Sequence, residues 1–172
     1  MKELVAADLG LKADAVLDAD IYLYDTAKAV PAGWSGEFFA SGRIDNLAMC
    51  HAALEAALEV SGQQAVTVAA LFDNEETGSL TPQGADSSYL EQILERIVLA
   101  AGGNREGYMR SCAASFIVSA DASHGIHPNF SDYHDRSYAP VLNQGPAVKM
   151  NAGWNYASTG ETAARFRLWC DE

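Results

Sequence analysis

The hydrophobic positions of this chain follow two rhythms. Leu47, Cys50, Leu54 and Leu58 recur at helical spacing, as do Leu90, Ile93, Leu94, Ile97 and Ala101. The first set predicts a helix ended by Gly62. The second predicts a helix over 88–101, ended by Gly102 and Gly103. Glu106 to Ala114 reads as a further helix, and Gly160 to Cys170 as an amphipathic one with Ala164, Phe166 and Leu168 available for packing. Leu4 to Asp18 is helical in pattern but broken at Leu9-Gly10-Leu11.

The other rhythm is that of strands. Asp20 to Tyr24 alternates polar and apolar residues, which predicts a half-buried strand, and Glu37 to Ser41 predicts a short one. Val66 to Phe72 and Ser115 to Ala120 are mainly apolar and β-branched, the pattern of strands covered on both faces. Pro146 to Asn151 is a short strand candidate. Buried strands interleaved with helices predict an α/β fold, a mixed β-sheet flanked by helices. The loop from Ala29 to Gly36, rich in Pro, Gly and small residues, is the best candidate for a module boundary.

Candidate chemistry sits where the strands end. Val66 to Phe72 passes directly into Asp73-Asn74-Glu75-Glu76-Thr77-Gly78-Ser79, and open α/β sheets build their sites past the carboxyl ends of strands. Adjacent carboxylates repel unless a cation or a shared proton offsets the charge. One carboxylate that binds a metal and one that handles protons would satisfy this, and a solvated acidic turn is the plain alternative. Ser115 to Ala120 likewise ends on Asp121, with His124 and His127 just beyond. Asp45 stands between a predicted strand and the start of a predicted helix, where it is either a helix N-cap or a site carboxylate.

Composition narrows the function classes. The 172 residues are 49% hydrophobic and 20% charged, as in a soluble globular domain, and no apolar run approaches the length of a membrane span. Met1 to Asp8 lacks a signal-peptide core. A formal charge of −12 argues against non-specific binding to nucleic acid or anionic membrane. Cys50, Cys112 and Cys170 are widely spaced and odd in number, which predicts buried or free thiols of a reducing compartment and a cytoplasmic protein.

Taken together, several segments resemble the aspartyl aminopeptidases, two-metal enzymes that remove N-terminal acidic residues from peptides. They are Tyr22-Leu23-Tyr24-Asp25-Thr26, Gly36-Glu37-Phe38, Arg43-Ile44-Asp45-Asn46-Leu47-Ala48, the acidic run from Asp73 to Ser79, Ser119 to Asn129, and Val148-Lys149-Met150-Asn151. They stand in that family's order. The resemblance implies a partial two-metal aminopeptidase fold of the phosphorylase/hydrolase-like kind. Residues 1–30 would be the tail of a lid or dimerisation domain, and 31–172 part of the catalytic domain.

The resemblance also implies roles. Asp45 would bridge two divalent ions, zinc before manganese or cobalt, with Glu76 and Asp121 as terminal ligands. Glu75 would be the general base and then the acid toward the leaving amine. His124 and His127 would lie near the substrate as hydrogen-bond donors, with a structural role at a turn as the alternative. Lys149 would meet the acidic side chain of the substrate, with a solvated strand-end lysine as the alternative. A cis peptide at Asp45–Asn46 is implied too.

The resemblance also has gaps. That family's enzymes are longer, and their two histidine ligands match nothing here: His51 falls within a predicted helix and His134 in a loop. The chain is therefore expected to hold three of five ligands, to bind metal weakly and to have little activity by itself. Missing flanking strands would leave a sheet edge open, so a homo-oligomer is expected. Three readings follow: a piece of an aminopeptidase, a chain that completes its site by assembly with a partner, or a non-catalytic binding module that keeps the fold.

Overall fold

The computed structural model describes residues 1–62 and 65–171. It forms two compact units, Met1–Ile44 and Asp45–Glu172. The Pro- and Gly-rich loop of residues 29–36 forms part of a hairpin within the first unit.

In the first unit, α1 (Lys2–Asp8) ends where Gly10 adopts φ +66. The Leu11 amide then donates to the Ala6 carbonyl at 2.7 Å, closing the helix end as a left-handed glycine allows. A single 3-10 turn, Ala13–Ala15, follows, and Ala6 and Val16 are buried. Strands β1 (Val30–Ala32) and β2 (Phe38–Ala40) pair antiparallel, with Val30 opposite Ala40 and Ala32 opposite Phe38. Gly33 and Gly36 turn the chain between them at φ +91 and +74. The Glu37 carboxylate accepts from the Ser35 amide at 2.9 Å and fixes that turn. Asp20 to Tyr24 is not a strand: with no neighbouring strand to pair it, Leu23 is 98% exposed.

The second unit is mainly helical. It holds α2 (Ile44–Glu59, whose first residue belongs to the first unit), α3 (Tyr89–Ala100), α4 (Arg105–Ala114) and α5 (Gly160–Asp171). The helical spacings in the sequence locate α2 and α3, and α4 and α5 also lie where the sequence reads as helix. Helices α3 and α4 form a packed hairpin. Gly102, at φ +84, turns the chain, and the Asn104 side chain accepts from the Gly107 amide at 2.8 Å to cap α4. Tyr108 is buried in this hairpin, while Leu90, Ile93 and Leu94 of the predicted stripe are half-buried. At the start of α5, Thr159 and Thr162 cap one another's backbone amides, at 3.2 and 2.8 Å. The Trp169 ring then meets Phe116 edge-on at 4.8 Å. Each cysteine lies on a helix and is free, Cys50 half-buried and Cys112 and Cys170 exposed.

Helices with a sheet bear out the α/β class, but the sheet differs in extent from the expectation. Among the described residues it is two-stranded and antiparallel, with one isolated parallel bridge between Asn74 and Gly84. Val66 to Phe72 and Ser115 to Ala120 carry no ladder, and Pro146 to Asn151 is likewise irregular. Val66 is 76% and Ile117 78% exposed. A strand covered on both faces requires neighbours along its edges and layers above and below. The described residues do not provide them.

Candidate metal centre

Each acidic segment is held by its own backbone chemistry. Asp45 and Asn46 break the helical dihedrals at the start of α2, with ψ of 110 and 18, and the bond between them is cis, as the resemblance implies. The Asn46 amide donates to the carbonyl of Ala120 at 3.2 Å. That bond joins the residue after Asp45 to the residue before Asp121, bringing two expected site carboxylates to one place.

Glu75 and Glu76 stand on a loop folded upon itself. Asn74 donates through its side chain to the Thr77 carbonyl at 3.2 Å, and its own carbonyl accepts from the Ala85 amide at 3.0 Å. The Ser79 hydroxyl donates to the carbonyl of Glu75. The Asp86 amide donates to Ser79, and Thr81 donates to Gly78. Gly84 is buried where the loop closes, with the backbone carbonyls of Ser79 and Gly78 in the space a side chain would need.

The electrostatics join the segments. The Glu75 carboxyl is held above the usual carboxylate range, first by desolvation and then by the charges of Glu76, Asp121 and Asp45, with Lys149 opposing. Lys149 donates to Asp121 at 2.8 Å. Chiefly through that bond, the Asp121 carboxyl is lowered and the Lys149 ammonium raised. Asp45, Glu75, Glu76, Asp121 and Lys149 therefore share one electrostatic neighbourhood.

The histidines lie differently. His124 meets the His134 ring edge-on at 5.8 Å. His127 accepts from the Asn129 amide at 3.2 Å and lies 4.9 Å from the Phe130 ring. Among the described residues neither makes a hydrogen bond or ion pair to a carboxylate.

The sequence profile of the aminopeptidase I zinc metalloproteases (M18) matches residues 1–172. The chain belongs to the M18 family. It is 41% identical over 172 residues to a probable M18 family aminopeptidase 2 of Pseudomonas aeruginosa, all of this chain and 39% of that protein. It is 39% identical over 170 residues to one of Clostridium acetobutylicum, 99% of this chain and 39% of that protein. The M18 chain thus spans about two-fifths of the length of these curated relatives. A chain in a cryo-EM structure of the Ape4 and Nbr1 complex superposes with a TM-score of 0.75 at 34% identity, over 86% of this chain and 29% of that one.

The family's zinc can be weighed against the donors of this M18 chain. Carboxylate oxygens suit zinc, manganese or cobalt, and their gathering around Glu75 is the charge arrangement a cation would relieve. The buried Oδ1 of Asn46, next to Asp45, has no hydrogen-bond partner. Among the described residues, however, no three His, Cys, Asp or Glu side chains are grouped closely enough to hold an ion. The residues fit a cation in donor chemistry and fall short of a finished ligand cage.

Two contributors lay outside the site residues read from the sequence. Asn46 sat beside Asp45 in a motif, but only its long-range bond to Ala120 gives it a part in the site. Tyr156, whose ring lies 5.9 Å from the Lys149 ammonium, follows an irregular stretch with no periodicity to mark it.

Proposed function

We propose that the polypeptide carrying this chain is a metal-dependent aminopeptidase that releases N-terminal Asp or Glu from peptides. The observation that carries this reading is the bond from Asn46 to the Ala120 carbonyl, which brings the carboxylates of Asp45 and Asp121 to one place in a chain of the M18 family. Glu75, whose carboxyl is held above the usual carboxylate range, is suited to take a proton and return it.

Asp45, Glu76 and Asp121 would be the residues of this chain that hold the two divalent ions. When bound, such ions supply positive charge that acidifies water and offsets the oxyanion of the transition state. Glu75 accepts the proton of the attacking water and delivers it to the leaving amine. Lys149, as the cation of the cluster, gives a preference for an acidic side chain at the peptide N-terminus. His124 and His127 would donate hydrogen bonds from the substrate side. The protein is proposed to act in the cytoplasm as a homo-oligomer.

A second reading is a non-catalytic assembly module that keeps the fold. The pairing of Lys149 with Asp121 favours it, since that pair already neutralises one proposed ligand. Hydrolysis of aspartyl, glutamyl and leucyl aminoacyl amides, with zinc, manganese or cobalt and with a chelator, decides between them. Chelator-sensitive turnover that prefers the acidic substrates and is lost in Glu75→Gln supports the peptidase. No turnover with any metal in the polypeptide carrying this chain would leave the assembly module.

A further inference from the structure

Glu37 folds back onto its own turn. Its carboxylate accepts from the Ser35 amide at 2.9 Å and from the Ser35 hydroxyl at 3.1 Å. It fills the space that a side chain at Gly33 would need. The carboxyl is held below the usual carboxylate range, first by its own backbone amide and then by that of Ser35; the Ser35 hydroxyl and the Trp34 amide add to this, and desolvation opposes it. Successive backbone N–H groups turned toward one anion make a nest. Here the anion belongs to the chain itself.

The same turn joins β1 to β2 and carries Trp34, fully exposed, at its tip. Three residue pairs make a two-stranded ribbon that is marginal by itself, so the turn decides whether it stays closed. Neither strand carries an ionisable side chain. Among the described residues, no Lys, Arg, His, Asp or other Glu side chain makes an ion pair or hydrogen bond with Glu37. The groups that face its carboxylate are those of the turn.

We propose that Glu37 is an acid-released clasp: its ionised carboxylate keeps the turn of residues 33–37 closed and the hairpin paired, and protonation lets both open. A protonated carboxyl is neutral and turns one oxygen into a donor, so the amides facing it lose their charged acceptor. The hold is fully present above the ordinary glutamate value of 4.5 and is lost as pH falls through the lower value of the folded form.

NMR of the protein, with amide hydrogen exchange, from neutral pH to well below 4.5 tests this. The Ser35 amide resonance is expected to follow one titration below 4.5. Across it, protection of the hairpin amides from Val30 to Ala40 falls roughly two- to tenfold relative to α3 and α4, the scale of one net hydrogen bond. Glu37→Gln keeps an acceptor that does not titrate, and is expected to hold the hairpin with no such step. Glu37→Ala is expected to show at neutral pH the low protection that the parent shows in acid.

A Ser35 amide that does not respond to pH in the parent overturns the proposal. So does an equal response in Glu37→Gln, or parent-like protection in Glu37→Ala at neutral pH. A loss of protection shared equally by α3 and α4 overturns it too, because the hairpin would then open only with general acid unfolding.

Discussion

Asn46 and Ala120 are 74 positions apart in sequence, yet the side-chain amide of one donates to the backbone carbonyl of the other at 3.2 Å. Because their neighbours are Asp45 and Asp121, this bond sets the separation of two carboxylates. Asn46→Ala is expected to lower stability by about 1 kcal/mol, as for one lost side-chain hydrogen bond. It is also expected to weaken zinc binding several-fold, and the two effects are read by urea denaturation and calorimetry. Unchanged affinity would mean that other contacts hold the two aspartates together.

Under the proposed function, substitution of Glu75 separates proton transfer from metal binding. In the polypeptide carrying this chain, Glu75→Gln is expected to lower turnover on an aspartyl substrate by roughly a hundred- to ten-thousandfold. Metal affinity is expected to stay close to the parent's, because Glu76, Asp45 and Asp121 remain. Loss of both together would make Glu75 a ligand and not the base.

The pH behaviour of the α3–α4 hairpin follows from Tyr108. Its phenol is pushed up from 10 to about 12, first by a hydrogen bond with Cys112, then by burial and by the charges of Cys112, Glu91 and Glu95. The folded form therefore holds this proton at a pH where the unfolded chain has released it. The stabilisation is fully present below pH 10 and is lost as pH rises toward 12. Alkaline titration of stability is expected to show this decline in the parent and not in Tyr108→Phe. Spectroscopic titration of the phenolates should find one tyrosine ionising later than the rest.

The cap of α4 is a local device. Asn104→Ala is expected to cost about 1 kcal/mol, and Asn104→Asp to restore most of it, because either side-chain oxygen can accept from the Gly107 amide. Thermal melts of the three proteins check the order.

How much of this was readable from the sequence depended on the range of the forces involved. Helices α2 and α3 were, because their apolar spacing and the glycines that follow them act within a few turns. The break after α1 was readable for the same reason, at Gly10. Val66 to Phe72 has the residues of a buried strand, but a strand is completed by partners, and the described residues place none beside it. The candidate carboxylates Glu75, Glu76 and Asp121 were read from where the apolar runs end. The partner of Lys149 did not, since it lies 28 residues away across an irregular loop and only the folded chain joins them. The hairpin of β1 and β2 was half visible: Glu37 to Ser41 read as a strand, whereas the loop from Ala29 to Gly36 hid β1 behind Pro31.

The tightness of the loop carrying Glu75 and Glu76 leaves a mark on which sequences can encode it. At position 84 even a methyl group would overlap the carbonyl oxygens of Ser79 and Gly78, which belong to the backbone and cannot rotate away. At position 107 the same methyl would meet only the side-chain oxygen of Asn104 at an ordinary 3.5 Å, in a helix that favours alanine over glycine. In a library of single substitutions selected for the folded protein, codons for anything but glycine should vanish at 84 and persist at 107. The fold of the acidic loop would then rest on its glycine, whatever is selected at its glutamates.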